Sequence, residues 1–446
     1  MAQDTICALS SGAGKAGVAV IRVSGPRVRF VLETMCGGVP AERYASVRGL
    51  IGGSGFLIDQ AIVLFFAAPR SLTGEDLCEF QVHGGKAVVA AVLGRVLDVP
   101  GCRLAEAGEF VQRAFEAGKY DLVEIEGLAE LIDSETEEQR KAALRQARGV
   151  FSGVYSDWRV RILRLRALAE SDIDFSDEGD VSDDHSILVR NESRQLFVSL
   201  RDHMRAAVRG DALRDGVVVA VVGAPNAGKS TLVNWLAGRD VAIVHETAGT
   251  TRDVIELRLD LGGFVCVVLD TAGIRHTEDA VEAEGIARSR AAIGRADLIL
   301  ELIDSKTLHS GVADDVVENC GDGRVATRWR VASRTDLAIG SEEMNADFAI
   351  SVRTGSGLDD LLVAMESFVR LRVGETADTV MLQSRQKVHM KVAMDAMGRI
   401  VDNEGLCGEL VAEELRVASE GLGFLTGELR DEDVLSEIFS SFCIGK

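Results

Sequence analysis

The stretch VVGAPNAGKST, residues 221–231, carries the most pointed chemistry in the chain. Gly223, Gly228, Lys229 and Ser230 satisfy the spacing G-x-x-x-x-G-K-[ST], with Asn226 and Ala227 inside the loop and Thr231 after it. Glycines at these points let backbone N–H groups converge on phosphate oxygens at a helix N-terminus. The Lys229 ammonium is expected to reach the β- and γ-phosphates of a nucleotide. Ser230 is expected to bind Mg2+, because a hard cation bridging phosphates takes a neutral oxygen there. Downstream, LDTAG at 269–273 ends an apolar run in Asp270, placed to hold Mg2+ through water; Thr271, Ala272 and Gly273 follow, with Gly273 free to meet a γ-phosphate. Between the two lies HETAGTTRD, with His245, Glu246, Thr247, Ala248, Gly249, Thr250 and Thr251. It is polar and glycine-containing, suited to ordering around a γ-phosphate, and Thr251 is the choice for a second Mg2+ hydroxyl.

The base pocket decides between guanine and adenine. Where an N-K-x-D segment commonly supplies an Asp to guanine's paired N–H groups, this chain reads SRTD, Ser333 to Asp336. Asp336 favours guanine, because adenine presents a mismatched edge to a buried carboxylate. Ser333 lacks the Asn amide, so weaker affinity is expected, with the Arg334 stem available to cover the base plane. Ser351, opening SVRTGSG, marks the next loop, expected to give a backbone contact to the base. Ile274 follows Gly273 and cannot position water. The side-chain oxygen of Asn226 therefore suggests an added cation that does the work of an arginine finger, and Glu282 is a carboxylate that could orient water through a hydrogen-bonded chain.

These residues need rigid elements behind them. GVVVAVVG, then the Gly-rich loop, then KSTLVNWLAG reads as strand, loop and helix, the opening of a doubly wound sheet. Further strands are expected at FVCVVLD, ADLILELID and FAISVR, giving a parallel α/β domain over 215–372. Residues 1–118 mix apolar runs such as GVAVIRVSG and QAIVLFF with Gly-rich turns, an α+β domain. In 119–214, Leu144, Ala147, Phe151, Val154, Trp158, Ile162, Leu165 and Leu168 recur at three- and four-residue steps, predicting one long bundled helix. Residues 373–446 again read as helical, so the α/β domain is expected to be inserted into a helical one.

With 70 acidic against 49 basic residues in 446, the net charge of −21 argues against a broad basic surface wrapping nucleic acid; any RNA must be held locally or by a partner. No apolar run is long enough to span a membrane and residues 1–20 show no secretory pattern, so a cytoplasmic location and no membrane are expected. The eight cysteines stand singly, without metal-ligand spacing; only Cys443, near the end of the sequence, invites a chemical reading.

Together TICALSSGAGKAGVAVIRVSG, SLTGEDLCEFQVHGG, GEFVQRAFEAGKYDL, the phosphate and base signatures and the terminal FCIGK give a specific resemblance to the bacterial tRNA-modification GTPase family MnmE, also called TrmE. The resemblance covers nearly all of the chain. It implies a multidomain plan: an α+β folate-binding and dimerising N-terminal domain, an α-helical bundle domain, and a Ras-like α/β P-loop GTPase domain inserted in the latter. It implies K+ held by Asn226, His245, Thr247 and Thr250, the loop positions largely through backbone oxygens, and a water-orienting role for Glu282. It also implies contacts from Arg22, Glu79, Lys119 and Lys446 to a tetrahydrofolate derivative, in 5-formyl or methylene form. The implied activity is GTP-dependent addition of a (carboxymethyl)aminomethyl group to C5 of the wobble uridine of tRNA, as a homodimer with the flavoprotein MnmG (GidA), which carries FAD. Cys443 is in that case a candidate nucleophile. The competing reading is a ribosome-assembly GTPase switch without modification chemistry; the acid-rich end of the chain, in place of a basic RNA-binding appendage, argues against it.

Overall fold

The computed structural model describes residues 4–174, 184–243, 256–270, 294–306, 326–337, 345–374, 379–403, 405–440, 442 and 444–445. The chain divides into two compact units, one of Met1–Ala129, Gln146–Val181 and Cys407–Lys446, the other of Glu130–Arg145 and Ser182–Leu406.

The first unit is built on a six-stranded sheet of order β3-β4-β5-β2-β1-β6, from β1 (Thr5–Leu9), β2 (Ala16–Ser24), β3 (Ser46–Ile51), β4 (Leu57–Phe66), β5 (Leu77–Gly84) and β6 (Cys102–Leu104). Pairing is antiparallel except between β1 and β6. The two-residue period of β2 sends Ala19, Ile21 and Val23 into a core shared with α1 (Val28–Cys36) and α2 (Lys86–Leu97). The same alternation sends Arg22 to the opposite face, where Ile6 and Ala8 of β1 meet Phe110 of α3 (Glu109–Glu116).

The periodicity over 144–168 predicts one helix, and the structure breaks it in two: α5 (Glu137–Ala147) and α6 (Val150–Asp174). Gly149 lies between them at φ +74°, a left-handed backbone that ends a helix and that glycine adopts without steric cost. Tyr155, Trp158, Ile162, Leu165 and Ala169 are the buried stripe of α6, while Val154 is exposed. This helix packs along α11 (Gly408–Thr426), and the Arg159 guanidinium donates to the Ser419 carbonyl at 3.3 Å. α4 (Leu122–Asp133) and α12 (Glu432–Ser440) complete the unit's described helices, with Leu122, Phe115 and Phe439 in one cluster.

The second unit holds a six-stranded sheet of order β12-β11-β10-β7-β9-β8, from β7 (Val217–Gly223), β8 (Glu256–Leu261), β9 (Phe264–Asp270), β10 (Leu298–Asp304), β11 (Thr327–Ser333) and β12 (Phe348–Ala349). All pairs are parallel except β8 with β9. β7 is buried on both faces, with Val217, Val219 and Val221 against α8 (Lys229–Ala237) and α9 (Leu358–Val373), and Ala220 and Val222 on the other side. Because β9 and β10 flank β7, the chain order reverses there, the point where parallel sheets bind ligands. α7 (Asp184–Asp215) leads into β7 and packs on α10 (Ser384–Asp402). The segment QSRQK, residues 383–387, starts α10: the Gln383 and Gln386 side chains cap each other's backbone, and Lys387 pairs with Asp211 of α7. No helix among the described residues is long and apolar enough to cross a membrane.

Candidate functional site

The loop between β7 and α8 starts at Gly223, whose φ is +149° and whose Cβ, were there one, would sit 2.5 Å from the Leu302 carbonyl oxygen. No other residue fits. Gly228 precedes α8 in the left-handed conformation at φ +93°. Asn226, exposed at φ +66°, shares that region; among non-glycine residues, Asn tolerates it best. The Lys229 ammonium folds back over the loop and donates to the carbonyls of Gly223 at 2.8 Å and Ala224 at 2.9 Å. Ser230 and Thr231 are exposed in the first turn of α8. Ala227 is buried, so its place is in packing and backbone rather than side-chain chemistry.

The base loop reaches the same end of the sheet. β11 ends at Ser333, and a short 3-10 turn, Thr335–Leu337, carries Asp336. The buried Ser351 hydroxyl donates to Asp336 Oδ1 at 2.6 Å, while Asp336 Oδ2 lies 3.9 Å from the Arg353 guanidinium. Arg334, at φ +57°, puts its guanidinium on Asp304 at 3.0 Å, so its charge is anchored to the end of β10. Ser333 joins the two loops through its hydroxyl, which donates to the Ala227 carbonyl at 2.7 Å. That tie was not legible in the sequence, where Ser333 registers only as a missing amide.

Asp270 ends β9, its strand in register with β7 at Val221. His245, Glu246, Thr247, Ala248, Gly249, Thr250, Thr251, Thr271, Ala272, Gly273, Ile274 and Glu282 lie outside the described residues, as do Cys443 and Lys446.

In the first unit, Arg22 and Glu79 face each other across β2 and β5 and form a salt bridge at 2.9 Å, their side chains 20% and 18% exposed. Both Arg22 contacts fall on Glu79 Oε1, so Oε2 has no partner among the described residues. The Arg22 guanidinium lies 5.7 Å from the centre of the Phe110 ring and donates to the Gly445 carbonyl at 3.4 Å. Ser10 donates to the same carbonyl at 2.8 Å, and Ile444 bridges to Ala107, so the segment before Lys446 is fastened beside the pair. Gly445 is at φ +95° with no room for a Cβ, which would sit 2.3 Å from the Leu9 carbonyl oxygen. Lys119 is placed differently: its ammonium donates to the Pro69 carbonyl.

A network the sequence did not announce supports this wall. Arg113, buried on α3, donates to Glu75 at 3.1 Å and Glu109 at 2.8 Å, and Glu75 accepts from the Ser24 hydroxyl at 2.8 Å. Burial alone would raise Glu109, but hydrogen bonds from Arg103, the Glu106 N–H and Arg113 outweigh it and hold the carboxyl down to about 2. Cys7, Cys36, Cys78 and Cys266 are buried and behave as small apolar residues; burial pushes the Cys7 and Cys266 thiols up to about 12. Cys407 is exposed.

Two family models match: the MnmE helical domain over residues 122–443 and the GTP-binding protein TrmE N-terminus over residues 5–119. The tRNA modification GTPase MnmE of Brucella anthropi is 45% identical over 444 residues, covering 100% of this chain and 98% of its own. That of Brucella melitensis is 46% identical over 443 residues, covering 99% and 98%. Among solved structures, the G domain of the T. maritima FeoB iron transporter shares 24% identity over 34% of this chain and 98% of its own at a TM-score of 0.26, too slight a likeness to argue from. With matches spanning its whole length, the chain belongs to the MnmE family of tRNA modification GTPases.

Proposed function

We propose that the protein is a potassium-activated GTP hydrolase of tRNA wobble-uridine modification, organised as an N-terminal domain over 1–118 and a helical domain in parts 119–214 and 373–446 around a G domain at 215–372. The observation that carries this reading is the joining of a phosphate loop and a base loop at one end of a mostly parallel sheet, with Lys229 over the first and Asp336 in the second. A carboxylate there accepts both N–H groups of guanine's Watson–Crick edge, while adenine would set a ring-nitrogen lone pair against it.

Backbone N–H groups at the start of α8 and the Lys229 ammonium take the phosphate charge. The exposed hydroxyl of Ser230 and the side-chain oxygen of Asn226 are hard, neutral donors, suited to Mg2+ and K+ respectively. Thr251 adds the second Mg2+ hydroxyl, and His245, Thr247 and Thr250 complete the K+ ligands. The two cations supply positive charge where negative charge develops on the transferring phosphoryl group. Glu282 orients the attacking water. K+ caged at Asn226 draws the G domains of two copies together face to face.

Arg22, Glu79, Lys119 and Lys446 hold a tetrahydrofolate derivative as one-carbon source. Glu79 Oε2, without a partner among the described residues, suits the paired N–H donors of a pterin, and the lysines suit the folate carboxylates. The flavoprotein MnmG supplies FAD and much of the tRNA surface, which reconciles an acidic chain with an RNA substrate. Nucleoside analysis of wobble uridine in cells lacking this gene tests the reading: loss of the C5 modification is expected, and intact modification would remove it.

A further inference from the structure

Ser333 is 4% exposed, wedged where the phosphate loop meets the end of β11. Its hydroxyl oxygen lies 2.7 Å from the Ala227 carbonyl and 3.3 Å from the Ile303 carbonyl. Carbonyl oxygens only accept, so the single hydroxyl proton is committed to them. The residue's own carbonyl accepts the Ser305 N–H at 3.1 Å and the Ser305 hydroxyl. Ser333 is thus held from both sides, and its side chain has only oxygen lone pairs left to offer.

A guanine whose N1–H and N2–H groups meet Asp336 turns O6 and N7 away from that carboxylate. Both atoms accept hydrogen bonds and cannot donate. A hydroxyl whose proton is spent has nothing to give them. Arg334, the neighbouring donor, is drawn off to Asp304. We propose that Ser333 is a brace between the base loop and the phosphate loop that reads nothing of the base, so that guanine N7 goes unread and selection rests on Asp336. This deepens, and rests on, the guanine-nucleotide reading above. The brace is a positioning role: it fixes the carbonyl of Ala227, and with it the direction in which the following N–H groups face the phosphates.

The test compares GDP with 7-deaza-GDP, in which a C–H replaces N7, by titration calorimetry on the full chain with Mg2+. The proposal expects equal Kd values, within about twofold. A 7-deaza-GDP weaker by about threefold or more, the contribution of one hydrogen bond, would overturn it. Ser333→Ala is expected to weaken both ligands together by about 3- to 10-fold with their ratio unchanged, and Ser333→Thr, which keeps the hydroxyl, to restore both. Wild-type affinity in Ser333→Ala would overturn the brace. Failure of the wild-type chain to bind GDP at all would instead sink the guanine reading beneath it.

Discussion

The Ser351 hydroxyl donates to Asp336 Oδ1 over 2.6 Å, so a serine on one loop aims the carboxylate on another. Each carboxylate oxygen keeps a further lone pair, and the bond leaves the base-facing capacity intact while removing rotational freedom. Ser351→Ala is therefore expected to weaken GTP by about 3- to 10-fold. Asp336→Ala, which leaves guanine's donors unpaired, is expected to weaken it by more than about 100-fold and to abolish preference over ATP. Competition titration with both nucleotides checks the pair.

Lys229→Ala removes the charge that spans the Gly223 and Ala224 carbonyls without touching the apolar side of α8. The variant should melt near the wild-type temperature and lose GTP turnover by about 100-fold or more. Steady-state phosphate release together with calorimetry measures both. A turnover close to wild type would place the chemistry elsewhere.

Two groups set opposite ends of an acid-stability profile. Burial pushes His203 in α7 down to about 4, so its folded form stays neutral. The unfolded chain binds the proton first, and the contribution is full above about pH 6.5 and lost as pH falls through about 4, on the order of 3 kcal/mol. Glu109 contributes above its ordinary range near 4.5 and loses that contribution as pH falls through about 2. The second unit should therefore weaken first on acidification, and the first unit later. Hydrogen exchange at pH 7, 5 and 3 resolves the two, and His203→Leu should flatten the loss between 6.5 and 4.

Gly445→Val places a side chain where only 2.3 Å separates a Cβ from the Leu9 carbonyl oxygen. The tail should leave Ser10 and Arg22 and carry Lys446 with it. Folate affinity, measured by titration with 5-formyltetrahydrofolate, is expected to fall by about tenfold or more, with GTP turnover unchanged. Unchanged folate binding would remove the tail from the pocket.

Much of this was legible in the sequence because the chemistry is local. The phosphate loop announces itself within eight residues, since its glycines and lysine act on one ligand through adjacent backbone. Strands β7, β9 and β10 were readable for a related reason: they are continuous apolar runs in the middle of the sheet, whereas β8 (ELRLDL) and β11 (TRWRVAS) interleave charged residues and gave no such signal. The long helix through Gly149 misled because a three- to four-residue period continues across a break that a single left-handed residue creates. Arg22 and Glu79 stand 57 residues apart, and only the β2–β5 register makes them neighbours; resemblance, rather than spacing, pointed to them. The Ser333 tie to Ala227 spans 106 residues and involves a backbone carbonyl, which leaves no mark in a sequence.

The most direct measurement is the rate of GTP hydrolysis by the purified chain at equal ionic strength in KCl and in NaCl. A cation caged at Asn226 predicts turnover in K+ about 100-fold above that in Na+, and collapse of the difference in Asn226→Ala. Equal turnover in the two salts would contradict the account.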